Sequence, residues 1–182
     1  MNEGTVYWIT GLSGAGKTTI GTLLFERLRE CKPNVFRLDG DIGRIAYNDR
    51  IGYSKEERKE GAFRNSRVCK MIADQGIDVV CCTVSMYDDV RKWNRENFTY
   101  YHEIFLDVPM DILIKRDQKG LYSGVKSGKE RDVVGVDQEV ELPKNPDLII
   151  INDGSKTPQE VVDEICVFLK VPVPNKAFFE QA

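Results

Sequence analysis

The sequence lacks most of the features that mark membrane, secreted and nucleic-acid-binding proteins. No apolar run approaches the ~20 residues that span a bilayer, and residues 1–8 lack the basic and apolar regions of a secretory signal. Lys and Arg number 26 against 29 Asp and Glu, which gives a formal net charge of −3. That balance argues against bulk binding to nucleic acid or to an anionic membrane, so we expect a cytoplasmic protein that binds neither.

Metal-ligating residues are also scarce. The one histidine, His102, cannot form a metal site alone, and the five cysteines contain no C-x-x-C pair. Cys81 and Cys82 are adjacent in an apolar run, so their side chains should point to opposite faces of a sheet. We expect buried thiols in a reducing cytoplasm rather than a disulfide framework or a zinc site.

The length of 182 residues suits a single domain with a full hydrophobic core. Apolar, β-branched runs alternate with helical patterns, which predicts an α/β fold with a parallel sheet of about five strands flanked by helices. The predicted strands are Val6–Thr10, Val35–Leu38, Ile77–Val84, His102–Val108 and Asp147–Ile151. The predicted helices are Lys17–Glu30, Lys55–Gln75, Asp88–Asn97, Met110–Asp117 and Pro158–Lys170.

One stretch departs from this alternation. From Gly120 to Pro146 the sequence holds four glycines, two prolines and many charges. Connections of this length in compact domains are often functional lids. We predict a lid over about residues 119–145 within one domain that spans residues 1–182, and a disordered insertion is the alternative.

The clearest motif is GLSGAGKT at Gly11–Thr18. It fits G-x-x-x-x-G-K-[ST], the phosphate-binding P-loop, at each fixed position, and it lies between a predicted strand and a predicted helix. The glycines let backbone N–H groups crowd around phosphate oxygens, and the following helix adds positive charge at its N-terminus. Lys17 should reach the β- and γ-phosphates of ATP, and Thr18 should place its hydroxyl on Mg²⁺. The ATP site is expected at Gly11, Ser13, Gly14, Ala15, Gly16, Lys17, Thr18 and Thr19.

A P-loop alone does not define the reaction. The chain has no N-K-x-D guanine-recognition motif and no second ATPase module, which favours a small kinase over a GTPase, motor or helicase. Asp39 and Asp41 follow the second predicted strand, at the edge where open parallel sheets bind ligands. Either carboxylate could take a proton from an acceptor hydroxyl or hold Mg²⁺. The alternative is that Asp39-Gly40 forms only a turn and Asp41 only caps a helix.

Arginines downstream of this turn, Arg44, Arg58 and Arg64, suit an anionic acceptor. A guanidinium near a strand end can clamp a phosphate or sulfate with two hydrogen bonds. Each of them could equally be a solvated surface charge.

Several segments together resemble a known family. ITGLSGAGKTT, LDGD, IGYSKEER, IFLDVP, RDQKGLY and GVD…ELPKNPDLII occur in the order seen in adenylyl-sulfate kinases, and the resemblance runs from about Val6 to Lys170. These enzymes transfer the γ-phosphate of ATP to the 3′-hydroxyl of adenylyl sulfate. The resemblance therefore implies a small-molecule nucleotide substrate, with ATP and Mg²⁺ as cofactors, and leaves a homodimer open.

The resemblance also implies roles for individual residues. Asp39, Lys17 and Asp41 fall on the catalytic positions, where the acceptor hydroxyl meets the γ-phosphate, and the metal is implied at Thr18 and Asp39. Arg116 falls near the ATP base. The acceptor is implied to contact Asp39, Asp41, Arg44, Arg58, Ser85, Lys119, Gly120, Leu121 and Val133, and Tyr122 belongs to the same lid motif.

Three segments depart from the family pattern. E-N-I-R-R becomes Glu60-Gly61-Ala62-Phe63-Arg64, and the arginine after I-S-P-[FY] becomes Asp88. Val133 replaces the phenylalanine that stacks on the acceptor's adenine and so lacks an aromatic face. All three changes are expected on the acceptor side. The resemblance makes adenylyl sulfate the first candidate acceptor, and the changes suggest as the alternative another nucleotide, such as the cytidine diphosphoramidate that a relative uses in bacterial capsule decoration. A nucleotide-binding regulator that has lost catalysis is a further alternative.

Overall fold

The computed structural model describes residues 3–46, 52, 54–117, 120–129, 133–136, 138 and 140–171. Five strands lie in this part of the chain: β1 (Val6–Thr10), β2 (Val35–Asp39), β3 (Asp78–Cys82), β4 (Tyr101–Asp107) and β5 (Leu148–Ile151). The helices are α1 (Lys17–Cys31), α2 (Gly40–Ala46), α3 (Lys55–Ala73), α4 (Asp88–Asn97), α5 (Met110–Arg116), α6 (Leu121–Lys126) and α7 (Pro158–Leu169). None of the described helices is long and apolar enough to cross a membrane.

The strands form one parallel sheet in the order β2-β3-β1-β4-β5. This confirms the predicted α/β fold with a five-stranded parallel sheet. The central strand β1 pairs with β3 on one side and with β4 on the other. Because the strands are parallel, the segments that follow their carboxyl ends meet at the same edge of the sheet.

Helices cover both faces of the sheet, and each face has its own hydrophobic core. One core packs α1 and α7 against residues such as Ile9, Cys82 and Ile104. The other packs α3 and α4 against residues such as Trp8 and Cys81. The adjacent thiols of Cys81 and Cys82 therefore point to opposite faces, as the sequence predicts.

The prediction of buried thiols is right for four of the five cysteines and wrong for Cys31. Cys31 is the last residue of α1 and is exposed, because the helix ends there beyond the edge of the apolar core.

Two short helices were not predicted. Helix α2 follows β2 directly, where a turn at Asp39-Gly40 is one of two interpretations of the sequence, and α6 lies inside the stretch interpreted as a lid. Both contain glycine and span seven and six residues, too few for a helical apolar period to stand out. Beyond α6, the described residues of this stretch include one isolated bridge, between Val134 and Gln138.

Candidate active site

The P-loop connects β1 to α1 through two glycines in the left-handed region. Gly14 has φ +79° and Gly16 has φ +90°, conformations that side chains with a Cβ rarely adopt. Gly16 precedes the first residue of α1, so Lys17 and Thr18 occupy the first turn of that helix. The glycine spacing of the motif is therefore a requirement of the backbone path.

Four consecutive carbonyl groups of the loop each accept a hydrogen bond from a side chain. The pairs are Lys17 Nζ to Leu12 O at 2.8 Å, Tyr122 Oη to Ser13 O at 2.8 Å, Arg116 Nη1 to Gly14 O at 3.5 Å and Asn152 Nδ2 to Ala15 O at 2.9 Å. Three of the four donors come from outside the loop, from α5, from α6 and from the residue after β5.

Holding the carbonyl groups in this way orients the loop's N–H groups. A trans peptide directs its N–H opposite to its C=O, so the peptides whose carbonyls are bonded present their N–H groups on the other side. Within the loop, the N–H of Ala15 bonds to Leu12 O at 3.1 Å. The neighbouring residues Ser13, Gly14 and Gly16 line the cavity described below. Backbone donors that converge on one point form a site for phosphate oxygens.

Arg116, Asp117 and Tyr122 link the P-loop to α6. Arg116 also donates to the carbonyl of Asn152 at 2.9 Å, which ties the donors together. The Asp117 carboxylate accepts hydrogen bonds from the N–H groups of Tyr122 and Ser123 at 2.9 and 3.1 Å. The Ser123 side chain, together with these N–H groups, holds the pKa of Asp117 below its usual value. Asp117 therefore orders the first turn of α6, which places Tyr122 against the loop.

Asp39 lies at the end of β2 and faces Thr18. Its Oδ2 accepts a hydrogen bond from the Thr18 hydroxyl at 2.8 Å, and its Oδ1 accepts from the Asp41 N–H at 3.0 Å. Asp39 is 6% exposed. Asp39, and not Asp41, is the residue that caps α2, because its carboxylate satisfies an N–H of the first turn.

The pair Thr18 and Asp39 suits a magnesium ion. The described residues hold no cluster of three or more His, Cys, Asp or Glu side chains. Mg²⁺ is commonly held by one or two protein oxygens together with substrate phosphates and water. A hydroxyl and a carboxylate 2.8 Å apart beside a P-loop offer that donor set.

A cavity of about 190 Å³ opens at the carboxyl edge of the sheet. Its wall contains the P-loop, the start of α2, one face of α3 and the segment between β3 and α4. Of the residues predicted from sequence, it brings together Ser13, Gly14, Gly16, Lys17, Thr18, Thr19, Asp39, Asp41, Arg44, Arg58 and Ser85.

Other predicted residues do not line this cavity. Gly11 and Ala15 are buried residues of the loop itself, and Arg116 donates to the loop carbonyl of Gly14. Gly120 and Leu121 lie at the start of α6. Val133 is buried, and its neighbour Val134 lines the cavity in its place. Lys119 lies outside the described residues.

Three of the changed residues, Phe63, Asp88 and Val133, do not line the cavity, so their location on the acceptor side stays a prediction. Asp88 pairs with Arg91 and with Lys144, the latter at 2.9 Å. Phe63 packs into the core beneath α3 with Arg67 over its ring. Gly61 and Ala62, which replace the asparagine and the isoleucine of the family pattern, are part of the cavity wall.

The segment after β3 holds a strained serine. Ser85 has φ +26°, which is unfavourable for a residue with a Cβ. The segment is fixed by a 2.7 Å hydrogen bond between the hydroxyls of Thr83 and Ser85 and by donation from Thr10 Oγ1 to Val84 O at 2.6 Å. These bonds hold the Ser85 side chain at the cavity wall.

Two further ionisable groups of the wall remain uncharged. Burial raises the pKa of the Cys82 thiol to about 12, and burial also raises the pKa of Tyr87. Both groups are therefore protonated near neutral pH, so Cys82 is not a nucleophile although it lies beside Asp39. The charged side chains of the wall are the lysine, arginine and aspartate groups already predicted.

Sequence reasoning missed Asn65 and Asn152. Gly61, Ala62 and Asn65 follow Arg58 at intervals of three, four and seven, so one side of a helix carries all of them. The sequence analysis identifies Arg58 as an acceptor contact, and the helical periodicity from Arg58 would have led to Asn65. Asn152 directly follows β5 and could have been found from the rule that sites form at the carboxyl ends of strands.

Comparisons of this chain with known proteins agree with the geometry of the site. The family model for adenylylsulphate kinase matches residues 3–151. An adenylyl-sulfate kinase from Clostridium kluyveri is 36% identical over 94% of this chain and 86% of its own length. A cytidine diphosphoramidate kinase from Campylobacter jejuni is 37% identical over 90% of this chain and 95% of its own. The Mycobacterium tuberculosis APS kinase in complex with AMPPNP and APS superposes with a TM-score of 0.86 at 31% identity, covering 93% and 99% of the two chains.

Removing one external donor tests whether the loop depends on it. Asn152→Ala leaves the Ala15 carbonyl without its partner, and a lost hydrogen bond of this kind costs ~1–2 kcal/mol. We expect the Kd for ATP to rise roughly 5- to 30-fold, measured by calorimetry. The matched control is Asn97→Ala, since Asn97 Nδ2 donates to the carbonyl of Trp93 at 2.8 Å on the surface of α4. Equal ATP affinity in both variants would contradict the role of Asn152.

Proposed function

The chain belongs to the adenylylsulphate kinase family, and we propose that it phosphorylates a ribose hydroxyl of adenylyl sulfate with ATP and Mg²⁺. As a member of this family it is a phosphotransferase that acts on a hydroxyl group. The observation that carries the proposal is the single cavity wall that joins a complete P-loop to Asp39, Arg44 and Arg58. One end of this wall suits the phosphates of ATP, and the arginines suit an anionic acceptor.

Phosphoryl transfer requires positioning and charge stabilisation more than covalent chemistry. Lys17 and the P-loop N–H groups hold the transferred phosphate, and Arg44 and Arg58 hold the anionic part of the acceptor. Thr18 and Asp39 would hold Mg²⁺, which neutralises charge on the phosphates when it is bound.

Asp39 is the group best placed to orient the acceptor hydroxyl. Its two oxygens accept one hydrogen bond each from Thr18 and Asp41. A carboxylate has about four acceptor positions, so it can accept a further bond from a substrate hydroxyl. It can then take the hydroxyl proton as the phosphate is transferred.

A second acceptor, cytidine diphosphoramidate, is favoured by two specific observations. A kinase named for that compound is as similar to this chain as the adenylyl-sulfate kinases are. Gly61, which lines the cavity, also carries no side chain where the family pattern has asparagine. Adenylyl sulfate remains the first candidate, because Asp88, Phe63 and Val133 do not line the cavity.

The acceptor is tested by ADP release from Mg·ATP with adenylyl sulfate, with cytidine diphosphoramidate and without acceptor. We expect turnover with adenylyl sulfate well above the rate without acceptor. Turnover with cytidine diphosphoramidate and not with adenylyl sulfate would show that the cytidine compound is the acceptor, and the proposed kinase mechanism would still hold. ATP binding without turnover on either acceptor would contradict the proposal and support a regulatory, nucleotide-binding role.

The role of Asp39 is tested by Asp39→Asn, which keeps the shape of the side chain and one acceptor oxygen for the cap of α2. Loss of the carboxylate should lower kcat about 100-fold or more, with a much smaller change in ATP affinity. The control is Asp163→Asn on α7, where Asp163 pairs with Arg27 on the surface. An unchanged kcat in Asp39→Asn would remove Asp39 from the chemical step.

A further inference from the structure

One polar side chain of the cavity wall has no role in the mechanism above. Asn65 lies on α3, is 7% exposed, and lines the cavity. Among the side-chain hydrogen bonds within the described part of the chain, none involves the Asn65 amide. A polar group of a binding site that a bound ligand leaves unpaired lowers affinity, so a ligand that pairs with the Asn65 amide would be bound more tightly than one that does not.

The position of Asn65 matches one end of an elongated ligand. Arg58 lies on the same face of α3, seven residues earlier, which is two helical turns or roughly 10 Å along the helix. Gly61 and Ala62 lie between them and carry at most a methyl group. This face of α3 therefore carries a guanidinium at one end and a carboxamide at the other, with small side chains that leave space between them. A nucleotide has the complementary layout, with an anionic group at one end and a flat base at the other.

We infer that the Asn65 carboxamide recognises the base edge of the acceptor nucleotide. This inference rests on the proposed function, because it assumes a nucleotide acceptor. A carboxamide offers an oxygen acceptor and two N–H donors. It can pair in a bidentate manner with an amino group beside a ring-nitrogen acceptor, as asparagine does with adenine. Cytosine also carries an amino group beside a ring nitrogen, so Asn65 suits both candidate acceptors. The amino group is therefore the part of the base that Asn65 would recognise.

The test combines a protein change with a matched change in the acceptor. Asn65→Leu keeps the approximate volume of the side chain and removes its hydrogen bonds. The probes are adenylyl sulfate and its analogue with hydrogen in place of the 6-amino group, together with cytidine diphosphoramidate and its 4-deamino analogue. Binding of each is measured by calorimetry in the presence of ADP, and turnover is measured separately by ADP release.

If Asn65 contacts the amino group, each change alone should weaken acceptor binding about tenfold. Making both changes should weaken it little further, since the two partners share one contact. The Kd for ATP and the melting temperature should stay close to those of the wild type. The matched control is Ser66→Ala, because Ser66 is the next residue, is fully buried with an unpartnered hydroxyl, and does not line the cavity. This control should leave all four acceptor affinities unchanged.

The inference would be overturned if the affinity losses of the two single changes multiplied when the variant was combined with the analogue. It would also be overturned if Asn65→Leu bound the acceptors as tightly as the wild type does. If Asn65→Leu lowers the melting temperature, Asn65→Ser replaces it in the same cycle. Binding without turnover on either acceptor would defeat the proposed kinase reaction, while the cycle still decides the role of Asn65. Absence of binding by both acceptors would overturn the inference itself.

Discussion

Phosphate binding in this protein depends on the hydrogen bonds that occupy the carbonyl groups of the P-loop. A loop that presents its N–H groups to an anion must turn its carbonyl groups away, and those groups need partners of their own. Tyr122, Arg116 and Asn152 supply these partners from three separate segments. Tyr122 of the lid motif and Asn152 after the last strand are therefore part of the phosphate site, although neither side chain lines the cavity. A change in either segment acts on ATP through the loop.

The same edge of the sheet brings the reacting groups together. Asp39 ends β2, the P-loop follows β1, and Ser85 follows β3, so three neighbouring strands deliver their side chains to one cavity. The hydrogen bond between Thr18 and Asp39 joins the P-loop to the end of β2. Helix α3 completes the wall with small residues between Arg58 and Asn65. The fold thus places the P-loop, Asp39 and one face of α3 around a single cavity.

The sequence predicts the fold well because its strongest signals are local. The bounds of β1 and α4 match in full, since the glycine motif and the helical pattern mark their ends. The P-loop residues and Asp39 follow from a motif with a physical mechanism. By contrast, the orientation of Asp88 depends on Arg91 and on Lys144, which lies 56 residues away in sequence. The contact of Asn152 with Ala15 joins residues 137 apart. Such contacts are set by tertiary packing, so no short stretch of the sequence predicts them.

The most direct test of this account is a pair of crystal structures, one without nucleotide and one with a non-hydrolysable ATP analogue and Mg²⁺. The account predicts that Tyr122, Arg116 and Asn152 keep their hydrogen bonds to the carbonyl groups of Ser13, Gly14 and Ala15 in both structures. The loop backbone should then differ by less than about 1 Å, as in other preorganised sites. A loop that flips these peptides on binding, or that releases the three donors, would contradict the account.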